Sequence, residues 1–115
     1  MAPAGLRKNA QFRRVYTEGH RTAGERIIVY WLRTGDSGIH PGFVASKKKA
    51  GSKAHQRNRA KRLMREAFRT VRDRITEKDL WIVFIASFDA ERTSFGQLLE
   101  DVERSLTRAG LITGD

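Results

Sequence analysis

The run Leu80-Trp81-Ile82-Val83-Phe84-Ile85-Ala86 is apolar throughout. It is short for a helix and rich in residues that favour extended backbone. A strand that is apolar on both faces has to be covered on both, so this segment reads as the central, doubly covered strand of a sheet. The rest of the chain has to supply its neighbours and the helices that cover it.

Those elements read as follows. A helix is predicted near Ala10–Glu18, with Asn9 as its N-cap, Gly19 as its terminator, and Phe12, Val15 and Tyr16 as its apolar face. Residues 26–33 read as a strand, and Gly35-Asp36-Ser37-Gly38 as turn material. Gly42–Ser46 reads as the next strand, pairing back on the first as a hairpin. Lys47–Lys53 reads as a basic loop. A long helix follows, with Ala60, Leu63, Met64, Ala67, Phe68, Val71 and Ile75 at the spacing of a buried stripe. The last helix runs from about Phe95 to Ala109, with Ser94 and Gln97 as a capping box and Gly110 as its stop. Its Glu100, Asp101 and Glu103 are expected on a solvated outer face. The order helix, strand, strand, helix, strand, helix describes an α+β or α/β sandwich. The 115 residues suit one domain, 1–115, with residues 1–8 as a flexible basic arm.

Charge is distributed unevenly. Residues 47–74 hold 12 of the 23 Lys/Arg and 2 of the 13 Asp/Glu, a net +10 that equals the whole chain. Asn58, Arg62, Arg65, Arg69 and Arg72 fall on the side of the long helix opposite its apolar stripe. Guanidiniums about one turn apart are spaced to meet successive phosphates in bidentate fashion. An ordinary solvated helix face would mix signs. Residues 1–75 carry net +14 and residues 76–115 net −4, which points to one polyanion-binding surface on an acidic scaffold. Nucleic acid is favoured over a membrane surface, because the basic helix has no Trp on its apolar face.

Other classes find little support. The chain has no Cys, which excludes disulfides and thiolate metal sites and suits a cytoplasmic protein. No apolar run approaches the roughly 20 residues of a membrane span, and residues 1–5 lack a signal-peptide core. His20, His40 and His55 are expected in loops, far apart in sequence and without metal-ligand spacing. No phosphate-cradling glycine loop or nucleophile elbow is present. A small-molecule substrate, a protein-held metal and a self-sufficient nuclease are therefore not expected. Phe12, Tyr16 and Tyr30 admit two readings. They can be core, or they can be a platform on which unpaired bases stack beside the basic surface.

The segment Arg57-Asn58-Arg59-Ala60-Lys61-Arg62-Leu63 is similar to the Arg-Asn-Arg-x-x-Lys-Arg type signature of the bacterial ribonuclease P protein subunit, here with Lys61 directly after Ala60. The resemblance extends through Leu6-Arg7-Lys8-Asn9 with Phe12 and Tyr16, the strand bearing Tyr30, Gly42–Lys48, Asp79 opening an apolar strand, and a closing helix. It spans roughly residues 6–108. It implies a two-layer αβ sandwich like the second domain of a small-subunit ribosomal protein, with a small mixed sheet of about four strands and the basic helix in a βαβ crossover. That crossover would be left-handed, against the usual preference. It also implies that a catalytic RNA carries out the cleavage with Mg²⁺, held mainly by RNA and substrate, and that the protein grips the 5′ leader of precursor tRNA. By position, Phe12, Tyr16, Tyr30 and Ser46 match the leader cleft. Arg57, Asn58, Arg59, Lys61, Arg62, Arg65 and Arg69 match the signature helix, and Lys47, Lys48, Lys49 and Lys53 form the basic loop. One departure is Ala86-Ser87-Phe88-Asp89, where the family usually carries a basic residue.

The rival reading is a structural ribosomal-type RNA-binding protein with no catalytic partnership. Under the favoured one, the polypeptide alone is expected to cut no RNA, since no acid/base set converges. Cleavage by RNA-free protein that survives repurification is the result that would overturn this.

Overall fold

β4 (Asp79–Ala86) lies between β2 (Ile27–Leu32) and β3 (Gly38–Val44), and β1 (His20–Ala23) adds the outer edge, giving the strand order β1-β2-β4-β3. This is a computed structural model, and it describes residues 5–113. β1, β2 and β4 pair antiparallel, whereas β3 runs parallel to β4. The connection from β3 to β4 carries the one-turn α2 (Lys47–Ala50), the long α3 (Ala54–Val71) and a 3₁₀ turn at Arg72–Arg74. α1 (Asn9–Glu18) precedes the sheet and α4 (Phe95–Arg108) follows it.

β4 is central and covered on both faces, as its composition requires. Leu80, Ile82, Phe84 and Ala86 are buried with Ile27 and Val29 of β2 against Met64, Ala67, Phe68 and Val71 of α3 and Leu98, Val102 and Leu106 of α4. On the other face Val83 is buried with Val15 of α1 and Leu6, while Tyr30, Leu32, Val44, Trp81 and Ile85 are only partly covered. α3 and α4 thus form a full layer, and the ten-residue α1 roofs only part of the second face.

Several sequence expectations are corrected. β2 and β3 do not form a hairpin, because β4 lies between them. Residues 33–37 span two strand spacings, roughly 9–10 Å, which a tight two-residue turn would not. A strand apolar on both faces gains from a partner on each edge, and that favours its insertion. β1 went unread because His-Arg-Thr-Ala has no apolar alternation; it is an exposed edge strand paired to β2, with Arg108 of α4 donating to its Ala23 carbonyl at 2.9 Å. It takes His20 out of the predicted loops, as β3 does His40. Residues 5–8 are not a free arm: Leu6 is buried and its N–H donates to the Pro41 carbonyl at 2.8 Å. The rest of the predicted arm, residues 1–4, lies outside the described residues. Lys8, not Asn9, occupies the N-cap position of α1, where the Gln11 side chain accepts from the Arg7 and Lys8 N–H groups, each at 2.9 Å.

Asp101 is the largest correction. It is 1% exposed, not solvated. Its carboxylate accepts from the backbone N–H of Glu25 at 3.2 Å and of Arg26 at 2.9 Å, holding the β1–β2 turn onto α4. A Cβ on Gly24 would lie 2.5 Å from that carboxylate, which is why the turn approaches so closely only with glycine. Asp101→Ala is expected to destabilise the fold by about 2–4 kcal/mol through two orphaned N–H groups, and the exposed Glu100→Ala to change little. Urea midpoints at unchanged slope check both.

Candidate nucleic-acid interface

α3 presents the stripe the periodicity predicts. Ala60, Met64, Ala67, Phe68 and Val71 are buried, and Asn58, Arg62, Arg65 and Arg69 are exposed on the far side. The helix does not treat its cations alike. Arg57 donates through Nη1 to the Ser52 carbonyl at 2.8 Å and the Gly51 carbonyl at 3.2 Å. Arg59 donates through Nε to the Ala90 carbonyl at 3.0 Å. Both therefore use part of their five-donor fork on the chain itself. Among the described residues, Asn58, Lys61, Arg62 and Arg69 have no side-chain hydrogen bond or ion pair. Arg65 places its guanidinium over the Phe43 ring, 5.6 Å from its centroid.

The basic loop is more ordered than its composition implies. Ser46 caps α2, its Oγ accepting from the Lys49 N–H at 3.2 Å, and Ala50 is buried beneath. Gly51, with φ +140°, turns the chain into α3, and a Cβ there would drive into the Gln56 side chain. Gln56 Oε1 accepts from the Lys53 N–H at 3.1 Å, and its Nε2 donates to Glu91 at 3.2 Å. The four lysines Lys47, Lys48, Lys49 and Lys53 are left exposed on this braced turn. Arg59 also brings a guanidinium onto the loop after β4.

The predicted aromatic residues converge on the half-roofed face of the sheet. Asn9, Phe12, Arg13 and Tyr16 of α1 and Val44 of β3 line an open groove of about 410 Å³. Tyr16 is 38% exposed and meets Tyr30 edge-on, with ring centroids 5.0 Å apart. Arg21 lies over the other side of Tyr30, 5.9 Å from its centroid. Partial burial, and then the neighbouring Tyr30, hold the Tyr16 hydroxyl above the usual tyrosine value. It stays protonated near neutral pH and can donate a hydrogen bond. Asn9, Arg13 and Val44 were missed in the sequence; the only signal was the i, i+4 spacing that puts Asn9 and Arg13 on one side of α1. Among the described residues no group of three His, Cys, Asp or Glu could hold a metal ion, and no helix is long and apolar enough to cross a membrane.

A small α+β domain with a bare cationic helix beside an aromatic groove belongs to the class of RNA-binding proteins. The family model for ribonuclease P matches residues 2–110. The ribonuclease P protein component of Clostridioides difficile is 33% identical over 102 residues, covering 89% of this chain and 84% of that one. That of Symbiobacterium thermophilum is 35% identical over 108 residues, covering 93% and 91%. The solved ribonuclease P protein of Staphylococcus aureus superposes with a TM-score of 0.82 at 30% identity, covering 98% of this chain and all of that one. The Thermotoga maritima protein gives 0.78 at 31% identity, covering 90% and 96%. The chain belongs to the bacterial ribonuclease P protein family, the protein component of an endoribonuclease that acts as a ribonucleoprotein in tRNA 5′ processing. The purely structural ribosomal-type reading is set aside.

Arg57→Ala is expected to loosen the Gly51–Lys53 turn by about 1–2 kcal/mol, the scale of a hydrogen bond to a charged donor. Arg62→Ala, with no partner to lose, should not. Amide hydrogen exchange at residues 51–53 separates the two.

Proposed function

We propose that this protein holds the 5′ leader of precursor tRNA in the groove between α1 and β3 while the outer face of α3 meets the catalytic RNA. The observation that carries the reading is the placement of Phe12 and Tyr16. They are neither fully buried nor free, and they stand in a groove with Arg13 that lies next to uncompensated cations. A base stacked on such a ring contributes about 1–3 kcal/mol without regard to its identity. Arg13 and the lysines of the braced turn provide charge for the phosphates on either side. Asn58, Lys61, Arg62 and Arg69 have their donors available for RNA, and Arg57 and Arg59 retain the remainder of theirs.

Cleavage chemistry is assigned to the catalytic RNA. No three His, Cys, Asp or Glu side chains among the described residues come together to hold Mg²⁺. The ion is proposed to sit on RNA and substrate phosphates, and the protein's contribution is to hold the substrate strand and offset its charge. A precursor tRNA substrate fits a cytoplasmic location.

With reconstituted holoenzyme, Phe12→Ala and Tyr16→Ala are each expected to weaken precursor tRNA binding by about 1–3 kcal/mol and to leave mature tRNA binding unchanged. If Phe12 served only as core, its truncation would instead lower the melting temperature and weaken every RNA alike. Affinities for precursor and mature tRNA, paired with melts, decide between these. Arg62→Ala should leave the melt unchanged and lower the slope of log affinity for the catalytic RNA against log salt by about 0.7–0.9. An unchanged slope would turn this helix face away from RNA.

A further inference from the structure

We infer that the single-strand groove does not end at α1 but continues around the β3 edge of the sheet to the C-terminal end of α3 at Arg72, and that upstream leader nucleotides follow it. The inference rests on the leader reading above and adds a path to it.

Three grooves join end to end. Phe12 lines both the 410 Å³ groove beneath α1 and a second groove of about 420 Å³ bordered by Arg7, Pro41 and Gly42. Phe43 and Arg65 line that second groove and also a third, of about 170 Å³, beside Arg69 and Arg72. Strand geometry explains how the path crosses the sheet. At Gly42 the strand faces α1, and the Phe12 ring comes so close that a Cβ would lie 2.6 Å from it. Phe43, the next residue, faces the other way, stacked on Phe84 at 5.7 Å and edge-on to Phe68 at 6.1 Å. β3 is the outermost strand on this side. A groove following it therefore turns from one face to the other within two residues, roughly 7 Å of strand. A duplex, stiff over about 150 base pairs, cannot follow that bend, whereas a single strand can.

The lining fits a polyanion. Arg7, Arg13, Arg65, Arg69 and Arg72 border the path, and among the described residues no acidic one does. Among the described residues none of these five forms an ion pair, whereas Arg14, Arg26, Arg33, Arg74, Arg92 and Arg104 all pair with acids. Arg65 is the pivot: it borders two of the grooves, with its guanidinium over the Phe43 ring. Continuity with the aromatic groove favours the strand already held there over a separate acidic protein partner.

The test uses holoenzyme reconstituted with catalytic RNA and three ligands: precursor tRNA with a full leader, precursor with a leader cut to a few nucleotides, and mature tRNA. Arg7→Gln and Arg72→Gln, on opposite sides of the β3 edge, should each weaken the full-leader precursor several-fold. Each should also lower its salt slope by about 0.7 and leave the short-leader precursor unchanged. Melts confirm that each folds. Equal effects on both leader lengths, or none on any RNA, would overturn the path. Weakened assembly with the catalytic RNA, together with equal losses on mature tRNA, would assign the groove to that RNA and overturn it as well. Phe12→Ala separates the premise from the extension. Leader-selective loss with Phe12→Ala but no length dependence in the arginine variants keeps the cleft and rejects the path. No leader selectivity with Phe12→Ala rejects the cleft itself.

Discussion

Every other element takes its place from β4, which has no face that water can wet. Leu80, Ile82, Phe84 and Ala86 need one apolar layer, and Trp81, Val83 and Ile85 need another. The two layers are unequal. α3 and α4 bury all four of the first set, and each large aliphatic or aromatic side chain sealed there contributes roughly 1.5–3 kcal/mol. α1 has ten residues and covers Val83 while leaving its neighbours part-exposed. The fully closed core carries the stability, so the second face tolerates incomplete cover. The uncovered strip is the groove. An apolar, aromatic-rimmed surface of this kind gains when a base stacks on it, so the packing deficit and the binding capacity have the same physical origin.

Charge follows the same division. In the acidic last third, Glu103 pairs with Arg74 at 2.6 Å, Glu100 with Arg104 at 2.8 Å, and Asp101 anchors the β1–β2 turn. Exposed ion pairs contribute little to stability. Their larger effect here is on where positive charge remains. Arginines near acids are neutralised locally, and those on the outer face of α3, Arg13 of α1 and Arg7 are not. Concentrated like charge repels itself in the folded state, and salt or a bound polyanion relieves it. The bare face is therefore mildly unfavourable alone and favourable against phosphate.

What could be read in the sequence depended on whether a residue sits fully in or fully out. β4, the α3 stripe and α4 with its Ser94–Gln97 cap were legible because apolar periodicity is strong when one face is sealed. The pairing of β3 was not legible, because Gly42–Ser46 has the same composition in a hairpin as beside a distant parallel strand. Asp101 was illegible for a different reason. Its value lies in two N–H groups 75 and 76 residues away, and no local pattern distinguishes a carboxylate facing them from one facing water. Phe12 and Tyr16 stood between the two readings in sequence and stand between them in space, half in the smaller core and half in the groove.

The signature segment shows the same limit within one helix. Arg57, Arg59 and Arg62 are the same residue type within six positions, and a motif treats them as one cationic unit. The fold separates them by what lies opposite. Arg57 faces the carbonyls of a glycine turn, Arg59 faces the carbonyl of Ala90, and Arg62 faces solvent. A guanidinium fork can hold backbone oxygens as well as phosphate oxygens, because both present lone pairs to its N–H donors. The first two arginines brace the lysine turn and the loop after β4 against α3, and in doing so fix where the uncompensated charges stand. Part of the motif's basic character thus shapes the surface and part of it forms the surface. Only the positions of Gly51, Ser52 and Ala90, set by tertiary structure, decide which arginine does which.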